Sequence, residues 1–117
     1  SGGERQIVSI CSAIIQDTDL VILDEPTSAL DIKNQHTVLS IIKDIASECG
    51  KTFILSSHNP NHALFLDSNV ILLQNGKTSV IGNAKEIITK ESLSEIYGEN
   101  LCYSKDLSYD EVSFKSN

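Results

Sequence analysis

Apolar residues recur at Ile7, Ile10, Cys11 and Ile14, a spacing of i, i+3, i+4, i+7 that predicts a helix across residues 4–16. Asp17 to Asp19 interrupts that rhythm. Leu20-Val21-Ile22-Leu23 is then an unbroken apolar run, short and branched enough to predict a parallel strand buried on both faces. Pro26, Thr27 and Ser28 mark residues 24–31 as a loop. A second amphipathic stretch runs to about Cys49, with Val38, Ile41, Ile42 and Ile45 on one face and Gly50 as its C-terminal stop.

Thr52-Phe53-Ile54-Leu55 predicts a second buried strand, ending at Ser56-Ser57-His58. Pro60 suits the first turn of a short helix to about Leu66. Val70–Leu73, Asn75-Gly76 and Lys77–Ile81 together predict a β-hairpin, because Asn-Gly favours a type I′ turn. Residues 84–98, between Gly82 and Gly98, predict one or two short helices. From about Tyr103 the chain is acidic, Ser-rich and weakly patterned, so residues 103–117 are expected to form a flexible tail. Helix, strand, helix, strand, helix is the order of an α/β fold: a parallel sheet flanked by helices, with a C-terminal hairpin and short helices. Loops beyond the carboxyl ends of parallel strands carry the chemistry in such folds. Residues 24–31 and 56–61 are those loops.

Composition narrows the picture. The 117 residues leave room for one domain at most, and 40% hydrophobic with 21% charged residues is an ordinary globular balance. No stretch approaches the roughly 18 apolar residues of a membrane-spanning helix. A net charge of −7, from 16 acids against 9 scattered bases, repels phosphate backbones, so no nucleic-acid partner is expected. The three cysteines are far apart and form no CxxC pair, which excludes a structural zinc site or disulfide framework and fits a reducing compartment. The chain opens at Ser1-Gly2-Gly3 with no methionine anywhere, and is expected to be part of something longer.

Chemistry concentrates in three places. Asp24 and Glu25 end the first strand, and adjacent carboxylates there are costly unless a cation or a hydrogen-bond network uses them. Such a strand has the layout of a Walker B element, in which the Asp organises Mg²⁺ and the Glu polarises an attacking water. The same residues would also suit a strand that simply ends in solvated acids. Ser1-Gly2-Gly3 opens the first helix, where backbone N–H groups and the helix dipole favour an anion, or where Ser1 or Gly3 merely caps. His58 follows the second strand and should stand near Asp24 at one sheet edge. Its spacing from His62 would also suit a shared metal, but Pro60 intervenes and no third ligand is evident.

Taken together, Ser1-Gly2-Gly3-Glu4-Arg5-Gln6, Leu23-Asp24-Glu25-Pro26-Thr27-Ser28-Ala29-Leu30-Asp31 and Ser56-Ser57-His58 resemble the C-terminal half of an ATP-binding cassette (ABC) ATPase, over about residues 1–102. The resemblance implies a partial P-loop NTPase-type sheet. It implies that Ser1, Gly2, Gly3 and Glu4 belong to the signature loop, which reaches ATP held mainly by a second copy. It implies that Asp24 serves Mg²⁺, Glu25 is the catalytic base, Asp31 closes the D-loop and His58 is the switch histidine. Glu4 stands where the family more often has Gln.

Asn34-Gln35, His58-Asn59-Pro60-Asn61-His62 and Ser92–Gly98 are most similar to importers of iron–siderophores, haem and cobalamin. Those work as homodimers on the cytoplasmic face of the membrane, coupled to permease subunits. No GxxxxGK[ST] phosphate loop occurs in these residues, so the 117 residues alone are expected neither to hold ATP tightly nor to hydrolyse it. Two alternatives remain at this point: a chromosome-maintenance or DNA-repair ATPase of the same superfamily, and a truncated, non-catalytic binding module. Half a cassette would also leave a sheet edge unpaired, which favours self-association.

Overall fold

The computed structural model describes residues 2–97, 101–105 and 110–114. The chain divides into two compact units, residues 1–58 and 59–117, where the sequence suggests a body of 1–102 and a tail. The first unit holds α1 (Gly2–Ile15), β1 (Leu20–Leu23), α2 (Ile32–Glu48) and β2 (Thr52–Leu55). β1 and β2 pair in parallel, with Leu20 opposite Thr52 and Leu23 opposite Leu55. The ladder continues at both ends: Thr52 donates its N–H to the Asp19 carbonyl at 2.8 Å, and Ser56 donates to the Leu23 carbonyl at 3.1 Å. That second bond carries the strand pairing directly into the two site loops.

α1 packs on β1 and α2 on β2. The buried apolar residues are Ile10, Val21, Leu23, Leu30, Val38, Leu39 and Ile42. Leu39 replaces Ile41 on the inner face of α2, and Ile41 is 40% exposed. At about 100° per residue, 38, 39 and 42 share one arc, whereas 41 lies about 100° from 42 on the side away from 39. Cys11, expected on the inner face of α1, is likewise exposed.

Neither strand is buried on both faces as expected. Val21 and Leu23 point inward, but Ile22 is 69% and Ile54 55% exposed. The helices of this unit cover one face of a two-stranded sheet, and a continuous apolar run cannot reveal which face lacks a cover. α2 is delimited locally: the Asp31 carboxylate accepts the Asn34 N–H at 2.8 Å as N-cap, and Gly50, at φ +67°, turns the chain after the C-cap Cys49.

The second unit contains α3 (Pro60–Leu66), β3 (Asn69–Gln74), β4 (Lys77–Asn83), α4 (Ala84–Ile87), α5 (Lys90–Tyr97), β5 (Leu101–Lys105) and β6 (Asp110–Phe114). β3 and β4 form the antiparallel hairpin, and Asn75 (φ 52°) and Gly76 (φ 73°) both take the left-handed backbone of a type I′ turn. Leu64, Ala84, Ile88 and Leu93 make the core. α5 begins with a reciprocal cap: Thr89 donates its N–H to Ser92 Oγ at 3.1 Å, and Ser92 returns its N–H to Thr89 Oγ1 at 3.1 Å. Within residues 103–117, expected to form a flexible tail, the described residues take part in an antiparallel pair, β5–β6, with Leu101 opposite Phe114 and Tyr103 opposite Val112, while residues 106–109 and 115–117 lie outside the described residues. Apolar residues alternate at period two in both segments, a strand signal masked by the surrounding Ser and Asp. No described helix is long and apolar enough to cross a membrane.

Candidate active site

The carboxyl ends of β1 and β2 bring together two carboxylates and an imidazole, and one serine bridges Asp24 and the backbone of Glu25. Ser56 follows β2 as Asp24 follows β1, one register step past the Leu23–Leu55 pair. Its Oγ donates to Asp24 Oδ1 at 2.7 Å and accepts the Glu25 backbone N–H at 2.8 Å. One hydroxyl therefore uses its donor and an acceptor lone pair on two neighbouring residues. Glu25 departs from the strand with φ 45°, a left-handed conformation that costs a non-glycine residue about 1–2 kcal/mol. The carboxylate of Glu25 pairs with His58 Nε2. Strand alternation alone would send Asp24 and Glu25 to opposite sides. The left-handed turn lets both address the segment following β2. Glu25 is partly exposed and the His58 side chain is 90% exposed, so the pair opens to solvent.

The rest of the loop is tied to the two helices of its unit. Gln6, on α1, donates Nε2 to the Glu25 carbonyl at 3.0 Å and accepts the Ala29 N–H on Oε1 at 2.8 Å. One side-chain amide thus brackets the turn 25–29 from inside. Gln35, on α2, donates to the Leu30 carbonyl at 2.8 Å. Pro26, Thr27 and Leu30 are buried beneath. α1 approaches the loop closely at Gly3, where a Cβ would lie 3.2 Å from the Ala29 carbonyl oxygen and 3.4 Å from Leu30. Between the start of α1 and this loop lies a cleft of about 480 Å³, lined by Gly2, Gly3, Glu4, Ala29, Asp31 and Asn34 among others.

Of the sequence-singled residues, Asp24, Glu25 and His58 come together, and Gly2, Gly3, Glu4 and Asp31 line the neighbouring cleft. Asp31 also caps α2. Ser1 lies outside the described residues. His62 belongs to the second unit, where it is 9% exposed and burial lowers its pKa from the ordinary 6.5. No cluster of three or more His, Cys, Asp or Glu side chains able to hold a metal occurs among the described residues. Ser56, Gln6 and Gln35 lie within the segments that carry the resemblance, but the bonds they make to Asp24, Glu25, Ala29 and Leu30 are not readable from the sequence. Only the strand register, which sets Ser56 opposite Asp24, offers a signal for one of them.

A family profile described as "AAA domain, putative AbiEii toxin, Type IV TA system" matches residues 1–62. The molybdate import ATP-binding protein of Haemophilus influenzae is 39% identical over 97 residues, covering 83% of this chain and 38% of that protein. The ferric enterobactin transport ATP-binding protein of Escherichia coli is 39% identical over 98 residues, covering 84% of this chain and 36% of its own length. The chain therefore spans well under half of these relatives. Among solved structures, an inward-facing "putative metal-chelate type ABC transporter" matches with TM-score 0.82 and 32% identity, over 98% of this chain and 46% of that one. A dimeric ATP-binding cassette bound to ADP and Pi matches with TM-score 0.66 and 31% identity, over 72% of this chain and 36% of that one. The chain belongs to this AAA-domain family, and its homologues are the ATP-binding proteins of ABC transporters.

Proposed function

We propose that these residues are the C-terminal part of the ATP-hydrolysing subunit of an ABC importer. The observation that carries this reading is the Glu25–His58 pair beside Asp24, at the carboxyl ends of paired parallel strands. Glu25 accepts the proton of, or orients, the water that attacks the γ-phosphate, and His58 contacts that phosphate from the facing strand end. Asp24 suits a hard divalent cation, being an exposed carboxylate with one oxygen steadied by Ser56. Mg²⁺ bound with ATP would neutralise phosphate charge there. The cleft at Gly2, Gly3 and Asp31 has the glycine-rich helix start expected to meet ATP held by a second copy.

The names of the similar proteins support a metal-bearing cargo such as an iron–siderophore or haem, and the reading adds cobalamin as a further cargo, permease partners and a place on the cytoplasmic face of the membrane. The relatives also include a molybdate importer, so cargo choice rests with the permease rather than with these residues. They do not favour a DNA-repair ATPase.

Replacing Glu25 by Gln in the full-length protein keeps the shape and removes the base. Nucleotide binding should persist while phosphate release slows by about 10²–10⁴, the usual contribution of a general base. Unchanged turnover would remove Glu25 from the mechanism and the reading with it.

A further inference from the structure

Glu25 is held at both ends of its own backbone by side chains from two other elements. Its N–H is accepted by Ser56 Oγ at 2.8 Å, and its carbonyl accepts Gln6 Nε2 at 3.0 Å. The backbone between those two bonds has φ 45°, a conformation a glutamate leaves unless the surroundings fix it. Within the turn itself, Ser28 adds a 3.2 Å N–H bond to the same carbonyl, an ordinary turn closure that leaves φ of Glu25 undetermined.

We propose that Ser56 and Gln6 are positioning residues that together lock Glu25 in its left-handed conformation and so aim its carboxylate at His58. The inference rests on the functional reading above, in which Glu25 serves the attacking water. Ser56 acts from β2, and its other bond, to Asp24 Oδ1, couples the two acids through one hydroxyl. Gln6 acts from α1, and its Oε1 bond to the Ala29 N–H fixes the amide so that Nε2 faces Glu25. The two bonds span 31 and 19 residues of sequence, so the catalytic turn depends on the register of β1 with β2 and on the seating of α1. Neither side chain touches nucleotide in this account; both act through the backbone of Glu25.

The test uses the full-length protein and four substitutions: Ser56→Ala, Ser56→Thr, Gln6→Glu and Glu25→Gln. Gln6→Glu retains the acceptor for Ala29 and deletes the donor to Glu25. Ser56→Ala and Gln6→Glu should each lower kcat about ten- to fifty-fold with the KM for ATP within about twofold, because an effective base must sit within hydrogen-bond reach of its proton. Ser56→Thr keeps the hydroxyl and should recover most of the rate. In the Glu25→Gln background, Ser56→Ala should add less than about twofold, since no base remains to be aimed.

A second measurement is independent of turnover: amide hydrogen exchange at Glu25 should accelerate in Ser56→Ala and stay slow in Ser56→Thr. If Glu25→Gln is slow but Ser56→Ala and Gln6→Glu turn over like the parent, the positioning role is overturned and the functional reading stands. Full multiplicativity of Ser56→Ala with Glu25→Gln, or a loss that appears only in KM, also overturns it. If Glu25→Gln is itself fully active, the functional reading falls first and this inference falls with it.

Discussion

The two units of the chain are held by different means. In residues 59–117, Leu64, Ala84, Ile88 and Leu93 make an apolar core, with polar bonds both local, as in the Thr89–Ser92 cap, and between elements, as from Gln74 Nε2 to the Glu95 carbonyl at 2.7 Å. In residues 1–58, a strand pair leaves one apolar face open, and the loop at its end is secured by Ser56, Gln6 and Gln35 reaching across from other elements. The unit whose site loop is cross-linked by Ser56, Gln6 and Gln35 carries the Glu25–His58 pair and the left-handed Glu25. Buried apolar contacts tolerate small displacements, whereas a hydrogen bond between fixed elements fails within a few tenths of an ångström. A site that must aim a carboxylate is therefore built from the second kind.

The sharpest way to break this comparison is to attack the core of the second unit. Ile88 is 1% exposed, and Ile88→Ala deletes buried methylenes and leaves a cavity, costing about 2–5 kcal/mol. Denaturant unfolding followed by circular dichroism should show that loss. A cost under about 1 kcal/mol would mean the cluster is not what holds residues 59–117 together.

A smaller effect separates two neighbouring glycines in the first unit. In a helix, Gly→Ala gains up to about 1 kcal/mol from propensity. At Gly2 nothing lies within 4 Å of the added Cβ, so Gly2→Ala should raise the thermal midpoint. At Gly3 the same Cβ meets the Ala29 carbonyl oxygen at 3.2 Å, and that atom belongs to a turn pinned by Gln6. Gly3→Ala should therefore gain nothing or lose stability. Equal gains at both positions would show that the loop yields, and that its cross-links are slack.

What was legible in the sequence follows the same division. Asn75-Gly76, Gly50 and Pro60 announce their turns and helix ends because those signals act within a few residues. Asp24, Glu25 and His58 stand out because acids ending an apolar strand are expensive and invite a use. The open face at Ile22 and Ile54 was illegible, since a run of four apolar residues looks the same with one face covered or two. The β5–β6 pair was hidden because each segment offers only a short apolar alternation, Leu101 with Tyr103 and Val112 with Phe114, amid polar residues. Ser56 and Gln6 were illegible for a deeper reason: a serine and a glutamine carry no signal until strand register and helix seating bring partners 31 and 19 residues away within reach.

The mildest prediction concerns His62, a buried titratable side chain in the second unit. Burial holds its pKa below 6.5 in the folded chain, whereas the unfolded chain keeps the ordinary value. As pH falls below about 6.5, the unfolded state takes up a proton that the folded state refuses, and stability drops. The contribution is complete above about pH 6.5 and is lost as pH falls through the lowered folded value. Thermal midpoints measured from pH 7.5 to pH 5 should fall more steeply for the parent chain than for His62→Gln, which cannot titrate there. The difference between the two curves isolates His62 from the acids that titrate lower. Parallel curves would mean that the imidazole is protonated as easily in the fold as outside it, and that the second unit admits water where its core should exclude it.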